Sequence, residues 1–252
     1  MFRRIAVAIS TAVALVFAVA TAGAVELKVM GAGPVEGTVK ELVPAFVRET
    51  DHKVEGVFNT VGFIQDRLKA GERPDILILS APVMEAMEKD GSLVAGSRTE
   101  IGRATSGFAV RAGAPTPDIS TPDAMKKTLL AARTVAYVDP AGGGTTGVFF
   151  AGLLTRLGIA DEINRKAIRP QRGAQVAEAV ADGRAEIGNT NLTELVPHKG
   201  VKVIGPIPEP LGLVITYVGG ISSASTNREA ARAFLAALTS PAARAKFKAA
   251  GL

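Results

Sequence analysis

Residues 136–154, AYVDPAGGGTTGVFFAGLL, combine side chains and spacings that could bind an anion. Three glycines and two threonines separate a short β-branched and aromatic stretch from an apolar run with helical spacing. Glycine lets the backbone approach a ligand closely, and the start of a helix offers free N–H groups with a partial positive charge. We therefore expect Gly143, Gly144, Thr145 and Thr146 to donate hydrogen bonds to negative oxygens. Because these donors do not titrate, binding is expected to vary little between about pH 6 and 8.

Other interpretations of the same segment fit less well. Gly142, Gly144 and Gly147 satisfy the dinucleotide-binding pattern G-x-G-x-x-G, and Asp161 and Glu162 follow at roughly the spacing of a ribose-binding acid. The glycines begin well beyond the predicted strand and after a proline, which argues against that site. A phosphate-binding P-loop is excluded because no lysine follows the last glycine. A flexible turn with a threonine helix cap stays open as an alternative.

Three further loops follow predicted strands in the same way, at 31–35, 59–62 and 188–191. Open α/β sheets bind ligands at the carboxyl ends of their strands, so four such loops predict a ring of donors around one cleft. The candidate ligand-binding residues of these three loops are Gly33, Pro34, Val35, Asn59, Thr60, Gly62, Asn189 and Asn191.

Strand-like and helix-like segments alternate along the chain, which is typical of a parallel sheet covered by helices on both faces. The predicted strands are 26–30, 53–58, 75–79, 134–138, 185–188 and 211–218, and the predicted helices are about 35–49, 63–69, one around Met84 and Met87, 145–157, 174–181, 227–238 and 241–249. Extended stretches at 101–110 and 211–218 separate two α/β blocks.

This order predicts an α/β protein of two lobes, each with a mixed, mostly parallel sheet flanked by helices. Residues 25–105 and 213–252 are expected to form the first lobe, and residues 106–212 the second. A chain that leaves one lobe, builds the other and returns makes two hinge crossings beside a cleft.

The first 24 residues have the pattern of a secretory signal peptide. Arg3 and Arg4 precede an uncharged apolar stretch, and small residues lead to a cleavage site after Ala24. Without this segment the 29 lysines and arginines fall to 27 against 24 acidic residues, so the net charge falls from +5 to +3. That mild excess does not predict nucleic-acid binding. An exported chain without cysteine must be stabilised by its apolar core.

Five segments carry a resemblance to a known family: ELKVMGAGPVEGTVKELVPAF, VEGVFNTVGFIQDRLKAGERPDILILSAP, VAYVDPAGGGTTGVFFAGLLTRLGI, GRAEIGNTNLTEL and LGLVITYVGG. Together they resemble the type II periplasmic substrate-binding proteins of ABC transporters, most of all the molybdate- and tungstate-binding branch. The resemblance implies a monomeric periplasmic protein that captures a small anion between its lobes and delivers it to a permease in the inner membrane. It implies no cofactor and no metal, and it adds Tyr217 to the ligand contacts.

The sequence departs from that branch at two contacts. The branch has serines where this chain has Pro34 and, in the second loop, Val61 or Gly62. Neither position offers a hydroxyl, and proline also lacks the N–H. A different oxyanion or a small organic polycarboxylate therefore fits as well as molybdate.

A bacterial aconitate isomerase is similar to the same branch and binds a tricarboxylate in its cleft, which opens an enzymatic alternative. Such a reaction needs a base near the substrate and donors for an enolate-like intermediate. His52 and His198 are expected at the surface, and Asp139 and Glu194 are expected to cap helices. No nucleophile–base pair is recognisable, so the sequence favours a carrier and predicts no catalytic residue.

One group of basic residues and one separate arginine have less specific interpretations. Arg165, Lys166, Arg169 and Arg172 predict a solvated helix face. Arg103 lies in a predicted crossing between the lobes, where it could form a structural salt bridge or bind a ligand carboxylate. We include it among the candidate site residues.

Overall fold

The computed structural model describes residues 23–252, a mixed sheet flanked by helices. Residues 1–22 of the predicted signal peptide lie outside the described residues. The strands are β1 (Glu26–Ala32), β2 (Lys53–Asn59), β3 (Ile76–Ser80), β4 (Thr99–Arg111), β5 (Val135–Tyr137), β6 (Ala167–Ile168), β7 (Ile187–Asn191), β8 (Val201–Pro206) and β9 (Val214–Ile221). The helices are α1 (Glu36–Thr50), α2 (Val61–Lys69), α3 (Ala81–Lys89), α4 (Pro122–Ala131), α5 (Thr145–Arg156), α6 (Ala160–Arg165), α7 (Gly173–Ala181), α8 (Leu192–Leu195), α9 (Arg228–Leu238) and α10 (Pro241–Ala249).

The strands follow the order β2-β1-β3-β9-β4-β7-β5-β6, with β8 also paired to β4. In the first lobe β1 runs parallel to β2 and β3, and β9 is antiparallel to β3. In the second lobe β5 runs parallel to β6 and β7, and β4 is antiparallel to β7 and β8. The predicted two-lobed α/β class with mixed sheets is confirmed. The described strands form four parallel and four antiparallel pairs, so the sheets are not mostly parallel as predicted.

β4 and β9 connect the lobes. Residues 99–105 of β4 pair with β9 in the first lobe, whereas residues 106–111 pair with β7 or β8 in the second. The chain returns just before β9, where the Ser106 N–H donates to the Leu213 carbonyl at 3.0 Å. Both extended stretches of the sequence are therefore crossings. The boundaries 25–105 with 213–252 and 106–212 stay a prediction.

Each lobe buries its own apolar side chains. The largest cluster contains β1 and β3 residues such as Leu27 and Ile78 together with Phe234 of α9, and a separate cluster surrounds Phe108 of β4. All five residues of β3 are buried, as expected for a strand covered on both faces. Each fully buried Leu, Ile or Phe contributes about 1.5–3 kcal/mol of transfer free energy.

The packing of α5 fixes the helix that begins in the glycine-rich segment. The Phe150 ring packs edge-on against Phe108 and Tyr137, with ring centroids 5.8 and 5.2 Å apart. A side chain at Gly147 would overlap the backbone carbonyl of Val138, so glycine allows α5 to begin directly beside the end of β5. The start of this helix is therefore held in place by the second-lobe core.

The fourth predicted loop is a strand, which corrects the sequence analysis. The strand expected at 185–188 is β7, which runs to Asn191 and is buried at every position. The Asn189 side chain donates to the Gly107 carbonyl at 2.9 Å and accepts from the Ser106 hydroxyl at 3.4 Å, so the buried Asn189 amide is hydrogen-bonded through both of its polar atoms. The sequence does not predict the elements β6, β8, α4, α6 and α8. No helix in residues 23–252 has the length and apolar character needed to cross a bilayer.

Candidate functional site

The glycine-rich segment forms a tight connection into α5. Asp139 accepts a hydrogen bond from the Ala141 N–H at 3.0 Å and caps the 3₁₀ turn Pro140–Gly142. Gly143 follows with φ of 65°, in the left-handed region that favours glycine. Gly144 is the N-cap residue of α5, and no side chain caps this helix end. The first N–H groups of α5 therefore remain available to a ligand.

A small cavity opens at the start of α5, between the loops that follow β1, β2, β5 and β7. About 30 Å³ is accessible to the centre of a water-sized sphere, roughly twice or three times what one water needs by that measure. It has room for an anionic group of a few heavy atoms. The predicted site residues that line it are Gly33, Pro34, Asn59, Thr60, Gly144, Thr145, Thr146, Asn191 and Tyr217.

The other predicted residues lie elsewhere. Gly62 and Gly143 touch each other beside the cavity, through a 3.3 Å bond from the Gly62 N–H to the Gly143 carbonyl. Val35 is fully buried in the first-lobe core, and Asn189 is buried within the sheet. Arg103 is exposed and pairs with Glu100 at 3.2 Å, so the salt-bridge alternative is the one observed.

The two lobes are in contact across the cleft. The Thr60 hydroxyl donates to the Gly142 carbonyl at 2.7 Å and also accepts from the Phe63 N–H at 3.3 Å, which caps α2. Arg172 at the start of α7 forms an ion pair with Glu36 at the start of α1. These contacts, with the Gly62–Gly143 bond, hold the cleft closed over the cavity.

Arg172 lines the cavity, although the sequence does not predict it there. The four basic residues do not share a helix face, because α6 ends at Arg165 and α7 begins after Arg172. The Arg169 guanidinium lies 5.5 Å from the Tyr137 ring centroid, and Lys166 donates to a backbone carbonyl at 2.6 Å. Arg172 alone of these lines the cavity, so the prediction of a solvated helix face is wrong for this residue.

Glu194 lines the cavity from the first turn of α8, where its carboxyl also hydrogen-bonds the backbone of the N-cap residue Asn191. It lies in the single-turn α8, and its Oε2 accepts from the Thr190 hydroxyl at 2.7 Å and from the Asn191 amide at 3.4 Å. A side chain at Gly173 would overlap the Glu194 carboxyl, so α7 begins with glycine where the carboxyl packs against it. The remaining candidate bases lie outside the cavity. His52 Nδ1 accepts from the Val25 N–H at 3.3 Å.

The cavity perturbs two ionisable groups. Burial raises the pKa of Glu194 above its usual value, against the opposing effects of the Thr190 and Asn191 hydrogen bonds and the Arg172 charge. Burial and then the nearby Glu194 charge raise the pKa of Tyr217, which therefore stays a neutral phenol with an O–H to donate. Within residues 23–252, no group of three or more metal-ligating side chains is present.

The raised pKa of Glu194 predicts a pH-dependent stability. The folded protein holds this proton more tightly than the unfolded chain, so the contribution is complete below the usual pKa of 4.5 and is lost as pH rises through the folded-state pKa. Without added anion, we expect the stability of Glu194→Gln relative to the parent to increase as the pH rises through that range. Urea unfolding at a series of pH values measures the difference. A difference that stays constant with pH contradicts the prediction.

Comparison with known proteins assigns the chain to a family. The family model described as bacterial extracellular solute-binding protein matches residues 27–252. The chain belongs to this family. It is 33% identical over 232 residues to an aconitate isomerase from Pseudomonas sp., covering 90% of this chain and 87% of that protein. It is 26% identical over 204 residues to the molybdate-binding protein ModA of Azotobacter vinelandii, covering 75% of this chain and 76% of that protein.

The solved structures agree with this family assignment in fold. The Azotobacter vinelandii periplasmic molybdate-binding protein superposes with a TM-score of 0.70 at 22% identity, covering 89% of this chain and 97% of that one. The resemblance to ABC-transporter substrate-binding proteins of the molybdate-binding branch is thus confirmed. The type II periplasmic binding fold is confirmed with it.

Proposed function

We propose that this protein captures a small oxyanion or small organic carboxylate in its cleft and delivers it to an ABC permease in the inner membrane. In this proposal the signal peptide is removed near Ala24, and the mature monomer works in the periplasm. The observation that carries the proposal is the uncapped start of α5, which lines a cavity enclosed by both lobes. Free N–H groups at a helix N-terminus attract anions.

Groups from both lobes support an anion at this place. Thr145 and Thr146 add hydroxyl donors on the second lobe, and the loop at Asn59 and Thr60 faces them from the first lobe. Tyr217 adds a neutral phenol from β9. A ligand that contacts both lobes favours the closed arrangement over the open one, which is how such a protein signals its loaded state to a partner.

The identity of the anion differs between the relatives. One relative is named for molybdate, and the more similar one is named for aconitate. At the two serine positions of the molybdate-binding branch this chain has Pro34 and Val61 or Gly62, so molybdate has fewer donors here. The closed cavity accepts one anionic group, and a whole tricarboxylate requires the lobes to separate.

A second candidate function is isomerisation of an aconitate-type tricarboxylate in the same cleft. The observation that favours it is Glu194, a carboxyl group in the cavity whose pKa is raised by burial. A carboxylate with a raised pKa is a stronger base, and the start of α5 could stabilise an enolate-like intermediate. The 33% identical relative supports this alternative.

A thermal-shift panel tests binding. We expect at least one of molybdate, tungstate, sulfate, phosphate, citrate, cis-aconitate and trans-aconitate to raise the melting temperature of the mature protein. An anion at about 100 times its dissociation constant stabilises the folded state by about 2.7 kcal/mol, which corresponds to a shift of about 5–10 °C. A panel without any shift contradicts capture of these anions.

Incubation of the purified protein with each aconitate isomer distinguishes the carrier proposal from the isomerase alternative. The carrier proposal expects both isomers to be recovered unchanged by chromatography after incubation with purified protein. Interconversion faster than in a blank, and lost in Glu194→Gln, establishes the isomerase alternative instead. Glu178→Gln is the matched control because it removes an exposed carboxyl from α7.

A further inference from the structure

The cavity contains hydrogen-bond acceptors as well as the donors that an anion needs. Glu194 and Asn191 both line it, beside the threonines at the start of α5. A site made only of donors suits a fully ionised anion. A carboxyl group in the same space repels such an anion unless a proton lies between them.

Asn191 leaves one acceptor without a partner. Asn191 is 3% exposed, and its Oδ1 meets the geometric criteria for a hydrogen bond with no described residue. The amide orientation follows from its Nδ2, which donates to the Glu194 carboxyl at 3.4 Å. The same amide also forms a side-chain hydrogen bond with the Tyr217 phenol, so Asn191, Tyr217 and the Glu194 carboxyl form one buried polar network beside the cavity.

Glu194 has an oxygen that faces the other lobe. The side-chain hydrogen bonds from Thr190 and Asn191 both go to Oε2, and the Asn191 backbone N–H also hydrogen-bonds the carboxyl. Oε1 lies beside Gly33, where an added Cβ would be 3.0 Å away. The loop after β1 and the Glu194 carboxyl thus approach each other across the cleft, and Oε1 remains for a ligand.

The charges around Glu194 do not neutralise it. Arg172 at the start of α7 faces the carboxyl, but Arg172 is also paired with Glu36 from α1. Tyr217 from β9 is the remaining titratable group beside it, and it is neutral. At a pH above the folded-state pKa of Glu194, one cation and two carboxylates therefore carry a net charge of −1 before any anion enters.

We propose that a bound anion and Glu194 share one proton, so that capture of a fully ionised anion is coupled to the uptake of a proton. The proton lies between Glu194 Oε1 and a ligand oxygen, and no covalent bond changes. The ligand class is a small oxyanion or carboxylate that accepts a hydrogen bond from a carboxylic acid. This inference rests on the proposed function, and it replaces the sequence-based expectation of binding that is independent of pH.

Calorimetry in pairs of buffers with different ionisation enthalpies tests the coupling, with cis-aconitate and molybdate as the probes. For each probe that binds above the pKa of Glu194, we expect the parent to take up about one proton per anion, and its Kd to rise about tenfold per pH unit. Glu194→Gln is expected to take up none and to bind with little pH dependence. Glu178→Gln, which removes an exposed carboxyl of α7, is expected to match the parent.

The outcomes distinguish a failure of the shared-proton inference from a failure of the proposed anion capture. Binding without proton uptake in the parent, or equal uptake in parent and Glu194→Gln, overturns the shared proton and leaves anion capture intact. Failure of both probes to bind the parent overturns capture of these anions, and the shared proton with it. Thermal unfolding of the ligand-free variants verifies that Glu194→Gln is folded.

Discussion

Gly62→Ala is expected to weaken anion binding about 30-fold or more while leaving each lobe folded. A Cβ at Gly62 would lie 2.8 Å from Gly143 Cα and 2.9 Å from the Gly142 carbonyl oxygen, and both are backbone atoms of the other lobe. The lobes must separate to relieve this overlap. Separation breaks the hydrogen bonds Gly62–Gly143 and Thr60–Gly142, at about 1 kcal/mol each.

Gly37→Ala is the matched control for this prediction. Both glycines lie in the first turn of a helix, but Gly37 is exposed and an added Cβ meets nothing within 4 Å. We expect Gly37→Ala to bind like the parent and to gain about 0.4–1 kcal/mol of stability. Calorimetry with the anion that gives the largest thermal shift provides the affinities. Parent-like affinity in Gly62→Ala would show that binding does not require this closed contact.

The parts of the site that the sequence predicts depend on local structure. Gly143 and Gly144 precede an apolar helical run, and this pattern alone indicates a tight turn into a helix N-terminus. Thr60 precedes α2 in the same way and caps it. Residues within one turn of these positions determine such features, so no knowledge of the other lobe is needed.

The parts that the sequence does not predict depend on distant contacts. Arg172 and Glu36 are 136 positions apart, and nothing near either residue indicates the pairing. Charged residues are usually solvated, so the basic run predicts a surface face. Glu194 lies in a single turn that is too short for helical periodicity to show, and its carboxyl reaches the cavity because α7 and the loop after β1 pack around it.

The strands also differ in whether local sequence or distant contacts determine them. β3 is an apolar run buried on both faces, and its identity follows from composition. β7 reads IGNTN, and three polar residues in succession favour a loop on propensity grounds. Its burial depends on hydrogen bonds from Asn189 to β4, which is more than 80 residues away in the chain. Tertiary partners therefore determine where β7 ends and where Asn191 enters the site.

Arg172→Ala is expected to have the second large effect, a loss of anion affinity of about 30-fold or more. Arg172 is the cationic side chain among the residues that line the cavity. Without it, the Glu194 carboxyl lies beside the anion with no cationic side chain among the described residues that line the cavity. The pair that matters for binding is Arg172 with the bound anion, and removing one partner of a charge pair that is buried and hydrogen-bonded in the complex costs about 2–5 kcal/mol. In the ligand-free protein the Arg172 and Glu36 side chains are 34% and 21% exposed. Loss of their ion pair should therefore lower the free energy of unfolding by only about 1 kcal/mol or less.

Two further variants test whether the loss of anion affinity in Arg172→Ala comes from the positive charge inside the cavity. Arg165→Ala removes an exposed arginine from the end of α6 and should bind like the parent, since net charge alone contributes little at that distance. Glu36→Gln breaks the interlobe ion pair but retains the Arg172 charge, so we expect it to bind more tightly than Arg172→Ala. Equal affinities of Arg172→Ala and Glu36→Gln would assign the effect to the bridge between the lobes. Parent-like affinity in Arg172→Ala would place the bound anion away from α7, at the start of α5 alone.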